Sequence, residues 1–306
     1  MQNQEHRHLG HILNNKNMYI LTAFLVTLLI ISAFIYSFYV VILGLVAVVV
    51  AVVVEYLFSY FRKKPFEMTG IFVTPLILTL LMPPELPIFM VAVGSFFSVF
   101  FGKMIFGGLG KNLFNPAIVG YLFLIITFPV ELTTQYIVPG TDLFTSATLL
   151  RDRSFGLSLT NISDVLLGGY AGTIGNTFKL GVIILGLGLV VLKISDWRIP
   201  LSILVSLVVF TFLFDAIYPE KFHEGLMSIF VGGSLFAAFF VATDPVSAPF
   251  TNWGKAIYGI GIAFITVIIR GLAAFPEGFI FAIIIMNSIA PMIDSMKWVQ
   301  PKEVTA

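Results

Sequence analysis

Three polar islands interrupt an otherwise apolar chain, and their residue types bound the chemistry open to it. The first runs Gly107, Gly108, Leu109, Gly110, Lys111, Asn112, Leu113, Phe114, Asn115, Pro116. Its glycines permit tight turns and close backbone approach. Asn112 and Asn115, three apart where a helix starts, project to one side and offer donors and acceptors without charge. That set suits a neutral heterocycle with alternating N–H and C=O groups better than a phosphate; a glycine-rich turn with an Asn cap on the next helix fits the same residues. In the second island, Ala242 to Pro249, Asp244 closes a short apolar segment. A carboxylate there is either a ligand-site residue or the cap of a helix end. The third, Asp142 to Arg151, combines Ser, Thr and Asp as turns do. A Thr hydroxyl can also carry a phosphoester, and Arg151 and Arg153 are suited to pair with its phosphate.

Other chemistries are narrowed by what the chain contains. It has no cysteine, which excludes disulfides, thiolate-held zinc and cysteine-ligated iron–sulfur clusters. Its four histidines, His6, His8, His11 and His223, fall outside every apolar span, so haem held across a bilayer is not expected; the three near the N-terminus are read as solvated rather than metal-binding. A formal net charge of +1 leaves no footprint for nucleic acid.

The elements that must position these islands are membrane helices. Of 306 residues, 58% are apolar and 11% charged, and the mean hydropathy is +1.01. Soluble domains carry roughly 25% charged residues, so lipid is the expected solvent for most of the exterior. No small-residue cleavage site precedes the first apolar run, and the first helix is expected to be retained. Segments near the ~20 residues that cross a bilayer run over Tyr19–Phe38, Val40–Tyr60, Ile88–Phe106, Leu113–Phe128, Phe178–Leu192, Ile199–Phe214, Ile257–Ile269 and Phe279–Ile293. Two shorter ones, Ile71–Met82 and Ser234–Ala242, begin after Gly and end at Pro, as half-helices do.

Gly70 precedes Pro83, and Gly232 precedes Pro245, by the same thirteen residues. The expected fold is therefore an all-α polytopic membrane protein of ten transmembrane helices, arranged as two inverted five-helix repeats with broken half-helices. The divisions are a tail over 1–17, a first repeat over 18–129, an outer loop over 130–177, a second repeat over 178–294 and a tail over 295–306. With both termini in the cytoplasm, 12 of the 17 basic residues fall on the inner side, Lys103 among them, as the positive-inside rule requires. Glu55, Asp215 and Glu277 lie near span ends and are read as interfacial carboxylates.

Five segments, in order from Gly70 to Asp294, resemble one known family: GIFVTPLILTLLMPPELP, FGGLGKNLFNPAIVGYL, DLFTSATLL, FVATDPVSAPFTNWGKAIYG and FPEGFIFAIIIMNSIAPMID. It is the NqrB/RnfD family, the membrane subunits that the Rnf electron-transport complex (RnfD) and the sodium-translocating NADH:quinone reductase (NqrB) have in common. The resemblance implies FMN joined through its phosphate to Thr148, in DLFTSAT, where Ser146 stands in place of the family's usual Gly. It also implies a noncovalent riboflavin held by Asn112 and Asn115 and by Asp244 from the second repeat. Electrons would pass between the outer FMN and the riboflavin, coupled to Na+ or H+ transport in a bacterial inner-membrane complex, with the broken helices ending at Pro83 and Pro245 as its moving parts. Implied partners are the other membrane and flavoprotein subunits and a flavin transferase. NADH or ferredoxin would be oxidised by a different subunit, since no nicotinamide-binding fingerprint is present. The run FPVELT resembles the Rnf branch, while ATDPVSA and SDWRI resemble the quinone reductase branch. A channel or transporter for a small solute is the distant alternative of the same fold.

Overall fold

The computed structural model describes residues 13–63, 66, 68–137, 139, 144–145, 162–218, 226–230, 232–272 and 278–296. In chain order its helices are α1 (Asn15–Ile35), α2 (Tyr39–Arg62), α3 (Val73–Leu81), α4 (Ile88–Val99), α5 (Pro116–Thr127), α6 (Pro129–Thr134), α7 (Ile162–Leu167), α8 (Lys179–Val191), α9 (Arg198–Ile217), α10 (Ser234–Phe236), α11 (Asn252–Leu272) and α12 (Gly278–Ser295). α4 runs on as a π turn over Phe100–Met104, and α10 as another over Ala237–Val241. Two-residue strands β1 (Tyr136–Ile137) and β2 (Phe144–Thr145) pair antiparallel.

Among the described residues, α1, α2, α9, α11 and α12 are long and apolar enough to cross a membrane, and α4 with its π turn, α5 and α8 are shorter apolar helices. Large apolar side chains such as Phe34, Leu45, Val49, Val205, Val209 and Phe212 point outward. In water such a surface would be untenable, whereas lipid leaves it unpenalised.

Local chemistry sets the helix ends. Asn14 caps α1 by accepting from the Asn17 N–H at 2.8 Å. α2 stops at Lys63, which turns left-handed at φ 53°. Gly70 and Gly232, ahead of the two short segments, sit at φ +71° and +62°, a region that disfavours any side chain. α3 ends ahead of Pro83, where an extended Met82 meets the restriction proline places on preceding residues. A helix that stops inside apolar surroundings leaves carbonyls to be satisfied. The Ile174 N–H donates to Met82 O at 3.0 Å and the Gly175 N–H to Leu80 O at 2.7 Å. The segment expected as the tail of a solvated loop is thus packed inside: Ala171, Thr173, Ile174, Asn176 and Thr177 are buried, and Ser32 and Tyr36 donate to Ile174 O and Gly172 O.

Packing follows the same scheme in both halves. α3 lies against α1 and α2, α4 against α2 and α5; α10 with its π turn lies against α8 and α9, α11 against α9 and α12. Between the halves, α1 meets α8 and α5 meets α12. One apolar core runs through both.

One tight backbone approach in the first half is at Gly102, inside the π turn. A Cβ there would lie 2.7 Å from Pro116 Cα and 3.1 Å from Pro116 O, and neither atom can step aside without moving α5. Gly102→Ala is expected to part α4 from α5 at about 1–3 kcal/mol, the usual scale of overpacking. The check is the Tm of the purified protein in detergent, and an unchanged value would contradict this contact.

Candidate functional site

Asn115 is the N-cap of α5, with Pro116 in the first-turn position that proline favours. Its Oδ1 accepts from the Ala117 N–H at 3.0 Å, while its Nδ2 donates to Val241 O at 2.9 Å. Val241 closes the second π turn, so one amide caps a helix of the first half and satisfies a helix end of the second. Asn112 donates to Phe114 O at 3.0 Å and to Asp244 Oδ2 at 3.3 Å. Asp244 also accepts from Ser247 Oγ at 2.8 Å and from the Val246 N–H at 3.3 Å. The cap and the ligand-site interpretations of these islands are therefore compatible: the same side chains close helix ends and converge from two halves of the chain. The glycine turn beside them is real, with Gly107, Gly108 and Gly110 at φ +117°, +101° and +80°.

The three residues line a cleft of about 730 Å³ including its open mouth. Its walls are apolar, with Met18, Ile77, Leu189 and Phe240, and its polar edge adds Thr74, Lys103, Ser195 and Thr243. The buried Ser195 hydroxyl has no hydrogen-bond partner. Apolar walls, neutral amides, one carboxyl group and an orphaned hydroxyl fit an apolar heterocycle with N–H and C=O groups on its rim. Behind Ser195, the Asp196 carboxylate meets Lys255 Nζ at 2.8 Å and Arg198 Nη1 at 3.3 Å. Partial burial pushes the Asp196 carboxyl up, but hydrogen bonds from Lys255 and the Arg198 N–H, with both positive charges, outweigh it and hold it below the usual range. That ion pair ties α11 to the loop carrying Ser195.

Sequence reasoning missed Lys103 and Glu55. Lys103 lies in the π turn after α4, 2% exposed, and its Nζ is 2.5 Å from Oε1 of Glu55, itself 5% exposed. Glu55 is therefore not an interfacial carboxylate, and Lys103 is not a loop charge: each is buried by the other's helix, because a lone charge there would be intolerable. The signal was present in the runs VVVEYLF and VFFGKMIF, each a charge enclosed by apolar residues on adjacent spans. Asp215 is half-buried in the last turn of α9, at a span end as expected. Glu277, Ser146, Thr148, Arg151 and Arg153 lie outside the described residues. Among the described residues no group of three or more His, Asp or Glu side chains is placed to hold a metal ion.

A family model described as the NQR2, RnfD, RnfE family matches residues 2–305. The NqrB subunit of the sodium-translocating NADH-quinone reductase of Ectopseudomonas mendocina is 37% identical over 252 residues, covering 78% of this chain and 62% of that protein. Its counterpart in Azotobacter vinelandii is 39% identical over 251 residues, with the same coverage. The chain thus spans under two thirds of the length of these quinone reductase subunits. The RnfD subunit of the proton-translocating ferredoxin:NAD(+) oxidoreductase complex of Clostridium ljungdahlii is 34% identical over 281 residues, covering 87% of this chain and 83% of that protein.

Proposed function

The chain belongs to the NQR2, RnfD, RnfE family, and on that premise we propose that it is the membrane electron-transfer subunit of an ion-translocating oxidoreductase complex of the Rnf type. Electrons pass between FMN joined to Thr148 on the outer face and riboflavin in the cleft of Asn112, Asn115 and Asp244, coupled to Na+ or H+ transport. The observation that carries this is the convergence of those three side chains, from both halves of the chain, on one apolar-walled cleft.

Ten crossings in two inverted repeats, with both termini in the cytoplasm of a bacterial inner membrane, complete the arrangement. The repeated packing scheme supports it. Like elements meet like across the two halves, α1 with α8 and α5 with α12, as a pseudo-twofold axis between repeats requires.

Bound riboflavin would supply storage of one or two electrons without a metal. The chain's own residues do the rest. Asn112 and Ser195 present hydrogen-bonding groups to the ring's rim, Asp244 fixes the Asn112 amide, and Met18, Ile77 and Phe240 keep water from the ring. The half-helices α3 and α10, whose ends are closed by the 174–175 backbone and by Asn115, are the elements able to shift between two packings as ions cross. The donor and acceptor of electrons belong to partner membrane and flavoprotein subunits, and a flavin transferase loads Thr148.

A second assignment, the NqrB subunit of a sodium-translocating NADH:quinone reductase, draws support from the 37% and 39% identity to such subunits. It shares every residue role above and differs in the partners.

The test is a flavin count on protein produced together with a flavin transferase. After denaturation, one flavin should stay with the chain and one unphosphorylated flavin should be released. No released flavin would overturn the role of the cleft; no retained flavin would overturn the outer attachment.

A further inference from the structure

The Glu55–Lys103 pair separates two clefts. Lys103 lines the one that holds Asn112, Asn115 and Asp244. Glu55 lines another, of about 780 Å³ including its open mouth, with Ser59, Arg62, Thr69 and Lys111. The two side chains touch at 2.5 Å and are almost wholly buried. The pair is therefore an oriented dipole whose positive end faces the candidate heterocycle site.

Three features fix that orientation. The π turn over Phe100–Met104 carries Lys103, and such turns recur where a helix must re-aim one side chain at a functional site. Gly102 seats this turn on Pro116, one residue beyond the Asn115 cap. Ser98 Oγ donates to Pro116 O at 2.8 Å, pinning the same contact from the preceding turn. Lys103 and Asn115 thus move as one unit, while the Asn115 amide holds Val241 of the other half.

We propose that Lys103 is the charge-compensating residue of the cleft: its ammonium, steadied by Glu55, stabilises negative charge on a reduced heterocycle bound beside Asn112 and Asn115, and so raises that ligand's reduction potential. The inference rests on the riboflavin assignment above. Were a neutral ring held there to be reduced by two electrons from the outer flavin with uptake of one proton from the cytoplasmic side, it would carry one negative charge. In a water-excluded site that charge needs a fixed partner. Asp244, contributed by the other half of the chain, accepts from Asn112 and Ser247 and supplies no positive charge, so the compensating cation comes from the Asn115 side.

The experiment is a redox titration of the noncovalent flavin, by absorbance, in the purified full chain loaded with its flavins. Wild type is compared with Glu55→Gln, with the doubly neutral Glu55→Gln/Lys103→Met and with Lys103→Arg. Glu55→Gln removes the opposing charge and should raise the potential. The double variant removes the nearer, positive end and should lower it below wild type. Each shift should reach tenfold in the reduced-to-oxidised ratio, about 30 mV for a two-electron couple. Lys103→Arg keeps the charge and should stay close to wild type. The double variant keeps the site free of an unpaired charge and answers the question even where Glu55→Gln fails to fold. Flavin retained at wild-type potential in the double variant would overturn the inference and leave the riboflavin assignment standing. Absence of releasable flavin from wild type would overturn both.

Discussion

Thr148→Val is expected to abolish the flavin that stays with the denatured chain and to leave the released flavin in place. A phosphoester needs a hydroxyl oxygen on the protein, and valine matches threonine in shape while offering none. The effect is therefore all or none, unlike the graded losses expected of residues that only position a group. Thr145 and Ser146 are the neighbouring hydroxyls, so the discriminating comparison is fluorescence at the protein's mass on a denaturing gel for Thr148→Val, Thr145→Val and Ser146→Ala. Loss in the first alone assigns the attachment. A band that persists in Thr148→Val and vanishes in one of the others moves it. Thr148→Ser restores a hydroxyl on a freer side chain and should keep part of the signal. Because the transferase of this assignment works on the outer face, a labelled Thr148 also fixes the orientation of the chain, which otherwise rests on the 12 inner basic residues.

Much of the fold was legible because lipid imposes a coarse code: runs of apolar residues of spanning length, punctuated by Gly and Pro. The ten apolar segments all fall on helical elements, with ends moved by a few residues. Asn112, Asn115 and Asp244 stand out as polar groups beside apolar spans, but the residues alone leave helix caps and a ligand site both open, and it is the resemblance of five segments in order that points to a site. What composition could not show was geometry that depends on partners distant in sequence. Nothing in FGKM specifies a π turn; the turn is found where Gly102 sits against Pro116, a residue outside the local pattern. Residues 171–177 look like loop because Gly, Thr and Asn dominate them, yet they are interior, since α3 ends inside and its carbonyls need donors. Lys103 reads as a loop charge because it lies near a span end, and only the neighbouring helix reveals its carboxylate.

That carboxylate makes Lys103→Met the substitution with the largest expected cost to stability. Removing the ammonium leaves Glu55, 5% exposed, as a buried anion with its main counter-charge gone. Breaking a buried pair on one side typically costs about 3–5 kcal/mol, whereas replacing both partners by neutral groups is often close to neutral. Glu55→Gln/Lys103→Met should therefore recover most of what Lys103→Met loses, which a merely steric account of Lys103 does not anticipate, since methionine occupies nearly the same volume in both. The readout is thermal unfolding in detergent at fixed pH, followed by the yield of monodisperse protein. For the single variant, Tm should drop clearly below wild type, with the double variant between the two. Equal stability of the single and double variants would show that the pair is not electrostatically isolated from water. The dipole facing the cleft would then be screened as well, and the shifts of Glu55→Gln and of the double variant in the redox titration should vanish with it. Stability and potential thus read the same two atoms, Lys103 Nζ and Glu55 Oε1, from opposite sides of one membrane-buried contact.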